Sequence, residues 1–154
     1  MVYINRKIKG KLDKLLAKGR SILLLGPRQT GKTTLLNHIK STLTLSFIQP
    51  RTRLRYEKDP SLLADEVKAL DARKEKPLVI VDEVQKVPLI MDVVQDLVDN
   101  NIAQFILTGS SARKLKRGKH VNLLPGRVIP LHMDPLSVLE IPKAKLKLND
   151  LLLF

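Results

Sequence analysis

A chain of 154 residues, 44% hydrophobic and 28% charged, is long enough for one domain with a hydrophobic core and too short for two domains of ordinary size. It contains no cysteine, which excludes disulfides and thiolate metal sites, and His38, His120 and His132 are scattered without ligand spacing, which argues against a structural zinc. The apolar runs are only a few residues long and the N-terminus carries charge where a signal peptide needs its apolar stretch, so no membrane segment is expected and the default location is cytoplasmic.

In chain order, Ile8, Leu12, Leu15 and Leu16 recur at helical spacing within residues 4–18, and Gly19 stands where a helix C-cap belongs. The run S-I-L-L-L at 21–25 reads as a strand buried on both faces of a parallel sheet. A helix over 32–40 follows with Leu35, Leu36 and Ile39 on one side, then a strand over 42–48, then a basic stretch at 49–58 that reads as irregular. Asp59-Pro60 is a cap followed by a first-turn proline, predicting a helix to about Ala72 that buries Leu62, Leu63, Val67 and Leu70.

L-V-I-V-D-E at 78–83 is another buried strand, here ending in two acids. Pro88 opens a helix with Ile90, Val93, Val94, Leu97 and Val98 on one face, ended by Asn100-Asn101. A strand over 103–111 ends in small polar residues, and residues 127–133 read as a last strand that Pro130 confines to an edge or a break. Alternating strands and helices predict an α/β three-layer sandwich around a mostly parallel five-stranded sheet, with ligands at the carboxyl ends of the strands.

Three segments carry chemistry. G-P-R-Q-T-G-K-T at 26–33 matches the phosphate-loop pattern G-x-x-x-x-G-K-[ST]. Gly26 and Gly31 are expected to let the backbone of Pro27, Arg28, Gln29 and Thr30 curl, so that its N–H groups face phosphate oxygens beside the positive end of the next helix. Lys32 is expected to reach the β and γ phosphates of ATP, Thr33 to ligate Mg²⁺ and Thr34 to approach the α phosphate.

The acids that end the 78–83 strand divide the remaining work. Asp82 is expected to hold Mg²⁺ through water, and Glu83 to polarise the attacking water as a general base. At the strand end L-T-G-S-S (107–111), Ser110 is the first candidate and Thr108 the second for a polar sensor of the γ phosphate, the arrangement of additional-strand ATPases. Arg113 and Arg127 are candidates for stabilising transition-state charge, from the same or a neighbouring subunit. GTPases pair the loop with D-x-x-G and [NT]-K-x-D; neither is present, which favours ATP over GTP.

The segments L-L-L-G-P-R-Q-T-G-K-T-T, L-V-I-V-D-E-V-Q-K-V-P, F-I-L-T-G-S-S-A-R-K-L and N-L-L-P-G-R-V resemble prokaryotic AAA-type ATPases that carry a further C-terminal domain. The resemblance spans nearly the whole chain and implies an ATP-binding, ATP-hydrolysing core. Two departures stand out. The family has Ala where this chain has Pro125 and usually another glycine near Lys119-His120, and it continues where this chain stops at N-D-L-L-L-F, so the chain reads as a fragment. The expected division is a basic helix packing on the core (1–20), the ATPase core (21–135) and a tail (136–154).

The net charge of +13 is uneven. Residues 1–20 hold seven Lys or Arg against Asp13 alone, and residues 113–119 hold five with no acid. This fits attraction to a nucleotide polyanion and equally a nucleic-acid partner. The expected function is Mg-dependent ATP binding with slow hydrolysis, in a chain that can form a homo-oligomer. The alternative is a nucleotide-binding interaction module with negligible turnover, contacting nucleic acid through its basic loop.

Overall fold

The computed structural model describes residues 4–70, 75–110 and 124–140. Its centre is a sheet of five strands, β1 (Ser21–Leu25), β2 (Leu43–Ser46), β3 (Leu78–Asp82), β4 (Gln104–Gly109) and β5 (Val128–His132), in the order β2-β3-β4-β1-β5. Every pairing is parallel. Strand β4 lies between the strand that feeds the phosphate loop and the strand that ends in Asp82, so the additional-strand arrangement is present. Pro130 sits on β5, paired to β1 on one side only, which is the edge position its missing N–H requires.

Alternation along the strands builds two cores. Leu23, Leu25, Val79, Val81, Phe105 and Leu107 face one side, while Ile22, Leu24, Ile80 and Ile106 face the other. The first face is covered by α4 (Leu62–Lys68) and α5 (Ile90–Asp99) through Leu63, Val67, Met91, Val94 and Leu97, and Tyr56 of α3 (Pro50–Lys58) joins that cluster. The second is covered by α1 (Lys7–Ala17) and α2 (Lys32–Leu36) through Leu12, Leu35 and Leu36. The result is a three-layer sandwich, and among the described residues no helix is long and apolar enough to cross a membrane.

Three local expectations change. The basic stretch at 49–58 is helical: Pro50 occupies its first turn, Arg53 and Glu57 pair at 3.5 Å one turn apart, and Tyr56 is fully buried. The helix after the phosphate loop ends at Leu36, where Asn37, His38 and Ile39 bond back into tight turns. The helix after Asp59 ends at Lys68, with Leu62 and Leu70 only partly buried. Arg113, the basic loop at 113–119 and the tail from residue 141 lie outside the described residues.

Candidate nucleotide-binding site

The loop leaves β1 at Leu25 and enters α2 at Lys32, at the carboxyl edge of the sheet. Its two glycines are required for different reasons. Gly31 has φ +89°, in the left-handed region that favours glycine. Gly26 does not; a β-carbon there would stand 2.2 Å from the Met133 carbonyl oxygen just beyond β5. Close packing therefore excludes a side chain at Gly26. Gln29 also has positive φ, at +64°. Thr30 closes the loop on itself, its hydroxyl donating to the Pro27 carbonyl at 2.9 Å.

Among the described residues, none of the backbone N–H groups from Arg28 to Thr34 has a partner within the fold. A row of unpartnered donors is what an anion needs. Helix α2 has only five residues, so the field at its start comes from these donors rather than from a long stack of aligned peptides.

Lys32 is buried and donates to the carbonyls of Gly26 and Pro27, both at 2.7 Å. Burial pushes its pKa below the usual lysine value, opposed by the charges of Glu83 and Asp82. A bound anion beside it would favour the charged ammonium and offset the cost of that burial.

The second motif meets the first here. Thr33 Oγ1 lies 3.4 Å from Asp82 Oδ2, although 49 positions separate them. Val81 is in register with Leu107, so Asp82 and Thr108 lie side by side on β3 and β4. The fully buried Thr108 hydroxyl donates to Asp82 Oδ1 and accepts the Glu83 N–H at 3.0 Å. Thr108, the second candidate on this strand, thus links both acids.

Glu83 has φ +61°, which turns the chain out of β3 and into a 3₁₀ turn (Val84–Lys86). A non-glycine residue held there costs ~1–3 kcal/mol. The turn makes the Glu83 side chain part of the cleft wall with Arg28, Lys32, Thr33 and Thr34. Its carboxylate accepts a hydrogen bond from the Gln85 amide, which also reaches Ser110 Oγ at 3.4 Å.

This cleft holds about 540 Å³, within the range of small-ligand sites. Ile48 and Lys86 also line it, and no motif singles them out. Thr33 is shared with a second cleft, which Asp82, Ser46 and Thr52 also line.

Arg127 is the residue the fold removes from this site. It precedes β5, so it lies at the amino edge of the sheet, roughly 16 Å from the carboxyl edge by the rise of a five-residue parallel strand. There its Nε pairs with Asp99 Oδ1 at 2.5 Å. A catalytic role within its own chain is excluded by that placement.

A parallel sheet with the phosphate loop after the interior strand β1 and an acidic strand end two positions away on β3 defines a P-loop nucleotide-binding fold. The family model described as AAA domain matches residues 18–142, and the chain belongs to that family as an AAA-type P-loop ATPase core. The uncharacterized protein Rv2008c of Mycobacterium tuberculosis is 31% identical over 143 residues, covering 92% of this chain and 31% of that protein. The chain thus spans about a third of that relative's length.

Solved structures that share the fold include the following pair. One is the Aeropyrum pernix Orc1 protein in complex with DNA, with TM-score 0.61 and 12% identity over 90% of this chain and 47% of that one. The other is AMPPCP-bound DnaA from Aquifex aeolicus, with TM-score 0.57 and 17% identity over 86% of this chain and 47% of that one.

Proposed function

We propose that this chain binds Mg·ATP in the cleft above residues 26–34 and hydrolyses it slowly. The observation that carries the reading is the meeting of Thr33 and Asp82 beside Lys32. The hydroxyl and the carboxylate are hard oxygen donors, the chemistry Mg²⁺ prefers. Among the described residues no cluster of three acidic or histidine ligands exists, which suits an ion held chiefly by phosphate and water. Bound there, Mg²⁺ would neutralise charge on the β and γ phosphates.

The chain's own groups supply the rest. N–H groups of residues 28–34 and the Lys32 ammonium hold the phosphates. Glu83 accepts the proton of a water whose oxygen attacks the γ phosphorus, while the bond from that phosphorus to the β,γ-bridging oxygen breaks and ADP leaves. Thr108 keeps Asp82 and the Glu83 backbone in register, and Ser110 stands beside Gln85 as the γ-phosphate sensor.

A second reading, nucleotide binding with negligible turnover, is favoured by the Gln85 amide holding the Glu83 carboxylate. ATP binding and turnover, measured with and without DNA, separate the two. Lys32→Ala is expected to weaken ATP binding ~100-fold or more, the loss of two charge-assisted hydrogen bonds. An unchanged titration with this variant sinks the reading of the loop.

A further inference from the structure

Arg6 belongs to no motif in the sequence. It stands just before α1 and is only 8% exposed. Its guanidinium makes contacts in three directions: Nη1 donates to the Thr30 carbonyl at 2.5 Å, Nη2 to the Asp134 carbonyl at 2.7 Å, and Nε to Glu140 Oε1 at 3.1 Å. Glu140 in turn accepts the Lys7 N–H at 2.8 Å and the Ser137 N–H at 3.0 Å. A buried charge is costly unless paired and hydrogen-bonded, and here both partners are satisfied.

The contact to Thr30 bears directly on the phosphate loop. A trans peptide is planar, with its carbonyl and its N–H pointing opposite ways. Drawing the Thr30 carbonyl toward Arg6 therefore turns the Gly31 N–H away from Arg6. Gly31 lines the nucleotide cleft, whereas Arg6 lines a separate cavity of about 200 Å³ behind it with Met133 and Glu140. A β-carbon on Gly31 would be 3.7 Å from Arg6 Nη1, so the guanidinium lies directly against the loop.

We propose that Arg6 is a positioning residue of the phosphate loop: gripping the Thr30 carbonyl from behind, it aims the Gly31 N–H into the cleft before a ligand arrives. The carbonyls of Thr30 and Asp134 fix that pose, and Glu140 balances the buried charge. Arginine suits the task because one rigid planar fork meets three acceptors at once, which the ammonium of lysine does not reproduce. The inference rests on the reading of the cleft as an ATP site.

The test compares ATP affinity with melting temperature in the full chain. Because Arg6→Gln alone strands a buried Glu140 carboxylate and can fail to fold, the decisive variant is Arg6→Gln with Glu140→Gln, which removes both charges. Glu140→Gln alone leaves Arg6 on Thr30 and controls for lost stability, and Arg6→Lys tests the fork.

The double variant is expected to melt cooperatively and to bind ATP ~10–100-fold more weakly, the worth of one hydrogen bond from a charged group. Glu140→Gln alone should stay within about threefold, and Arg6→Lys should fall between that and the double variant. The Gly31 amide resonance of the ligand-free protein should shift in both Arg6 variants and stay in place in Glu140→Gln. A folded double variant that binds ATP as wild type does overturns the proposal, as does equal weakening by Glu140→Gln alone. Wild-type protein that fails to bind ATP overturns the site itself. Loss with Lys32→Ala but not with the double variant overturns only the role of Arg6.

Discussion

A β-carbon on Gly26 would stand 2.2 Å from the backbone oxygen of Met133, so the first turn of the phosphate loop is pressed against the exit of the edge strand. Backbone cannot swing aside as a side-chain tip can, and overpacking of this kind costs ~1–3 kcal/mol or more. Gly26→Ala is therefore expected to destabilise the whole domain, lowering its melting temperature by several degrees, because the clash separates β1 from β5. Gly31→Ala has room, with its nearest neighbours at 3.7 Å, and is penalised through its φ of +89° instead. That strain is ~1–2 kcal/mol and local. Thermal melts beside ATP titrations should show the first variant losing mainly stability and the second mainly affinity; the reverse order contradicts this assignment.

Most of the sheet was legible in the sequence because β1, β3 and β4 carry short, nearly continuous apolar runs, while β2 (L-T-L-S) shows only strand-type composition. S-I-L-L-L has no polar residue beyond its first, as a strand covered on both faces requires. The loop and the two acids were legible because their spacing is local. Helix α3 was not, since P-R-T-R-L-R-Y-E-K buries only Tyr56 and shows no apolar period. It is held instead by contacts distant in sequence: Arg55 pairs with Glu66, and the Tyr56 hydroxyl donates to Glu66 Oε2 at 2.5 Å. Arg6 was hidden for a related reason. Its acceptors lie 24, 128 and 134 positions away, and two of them are backbone carbonyls that carry no residue signature.

Glu83→Gln and Thr108→Val separate the chemistry of the acidic strand end from its architecture. The amide keeps the shape of Glu83 but cannot accept a proton from water, so Glu83→Gln is expected to bind ATP within a few-fold of wild type and to lose hydrolysis ~100-fold or more. Thr108→Val keeps the volume but strands Asp82 Oδ1 and the Glu83 N–H, at a cost of ~1–3 kcal/mol. That variant should lose stability and turnover together. Single-turnover assays with parallel melts check both. Turnover retained by Glu83→Gln removes the general-base role.

The Glu140 carboxylate gives the fold an acid-sensitive joint. Burial raises its pKa, but the N–H groups of Ser137 and Lys7 and the Arg6 guanidinium overcome this and hold it at about 2, below the ordinary 4.5. A carboxylate depressed in the folded state contributes its full stability above about pH 4.5, and that contribution disappears as pH falls toward about 2. Arg6, Lys7, His132 and Asp134 line the same cavity. His132 and Asp134 are common to both proteins, so comparing wild type with Glu140→Gln isolates the one carboxylate. The variant is expected to be less stable at pH 7 by ~1–3 kcal/mol, the range for a hydrogen-bonded charged group, and the gap should narrow steadily below pH 4.5. Denaturant unfolding at pH 7, 4 and 3 reads it directly, and a gap that persists unchanged at pH 3 contradicts the assignment.

Arg127 tests whether the amino edge of the sheet matters to catalysis. Its guanidinium pairs with Asp99, and each partner lowers or raises the other in the direction of the charged pair: the hydrogen bond from Arg127 holds the Asp99 carboxyl below its usual value. Both side chains are about one-third exposed or more, so solvent screens the pair and its loss should barely change the melting temperature. In a single chain Arg127 is a strand's length from the cleft, so Arg127→Ala should hydrolyse ATP like wild type at high dilution. An arginine at this edge can reach a phosphate only in another copy, and such a contribution requires association. Turnover per chain in wild type would then rise with protein concentration, and Arg127→Ala would remain flat. Equal turnover of the two proteins across the whole concentration range leaves Arg127 a surface ion pair of the fold, whereas a loss already complete at high dilution contradicts its placement at the amino edge.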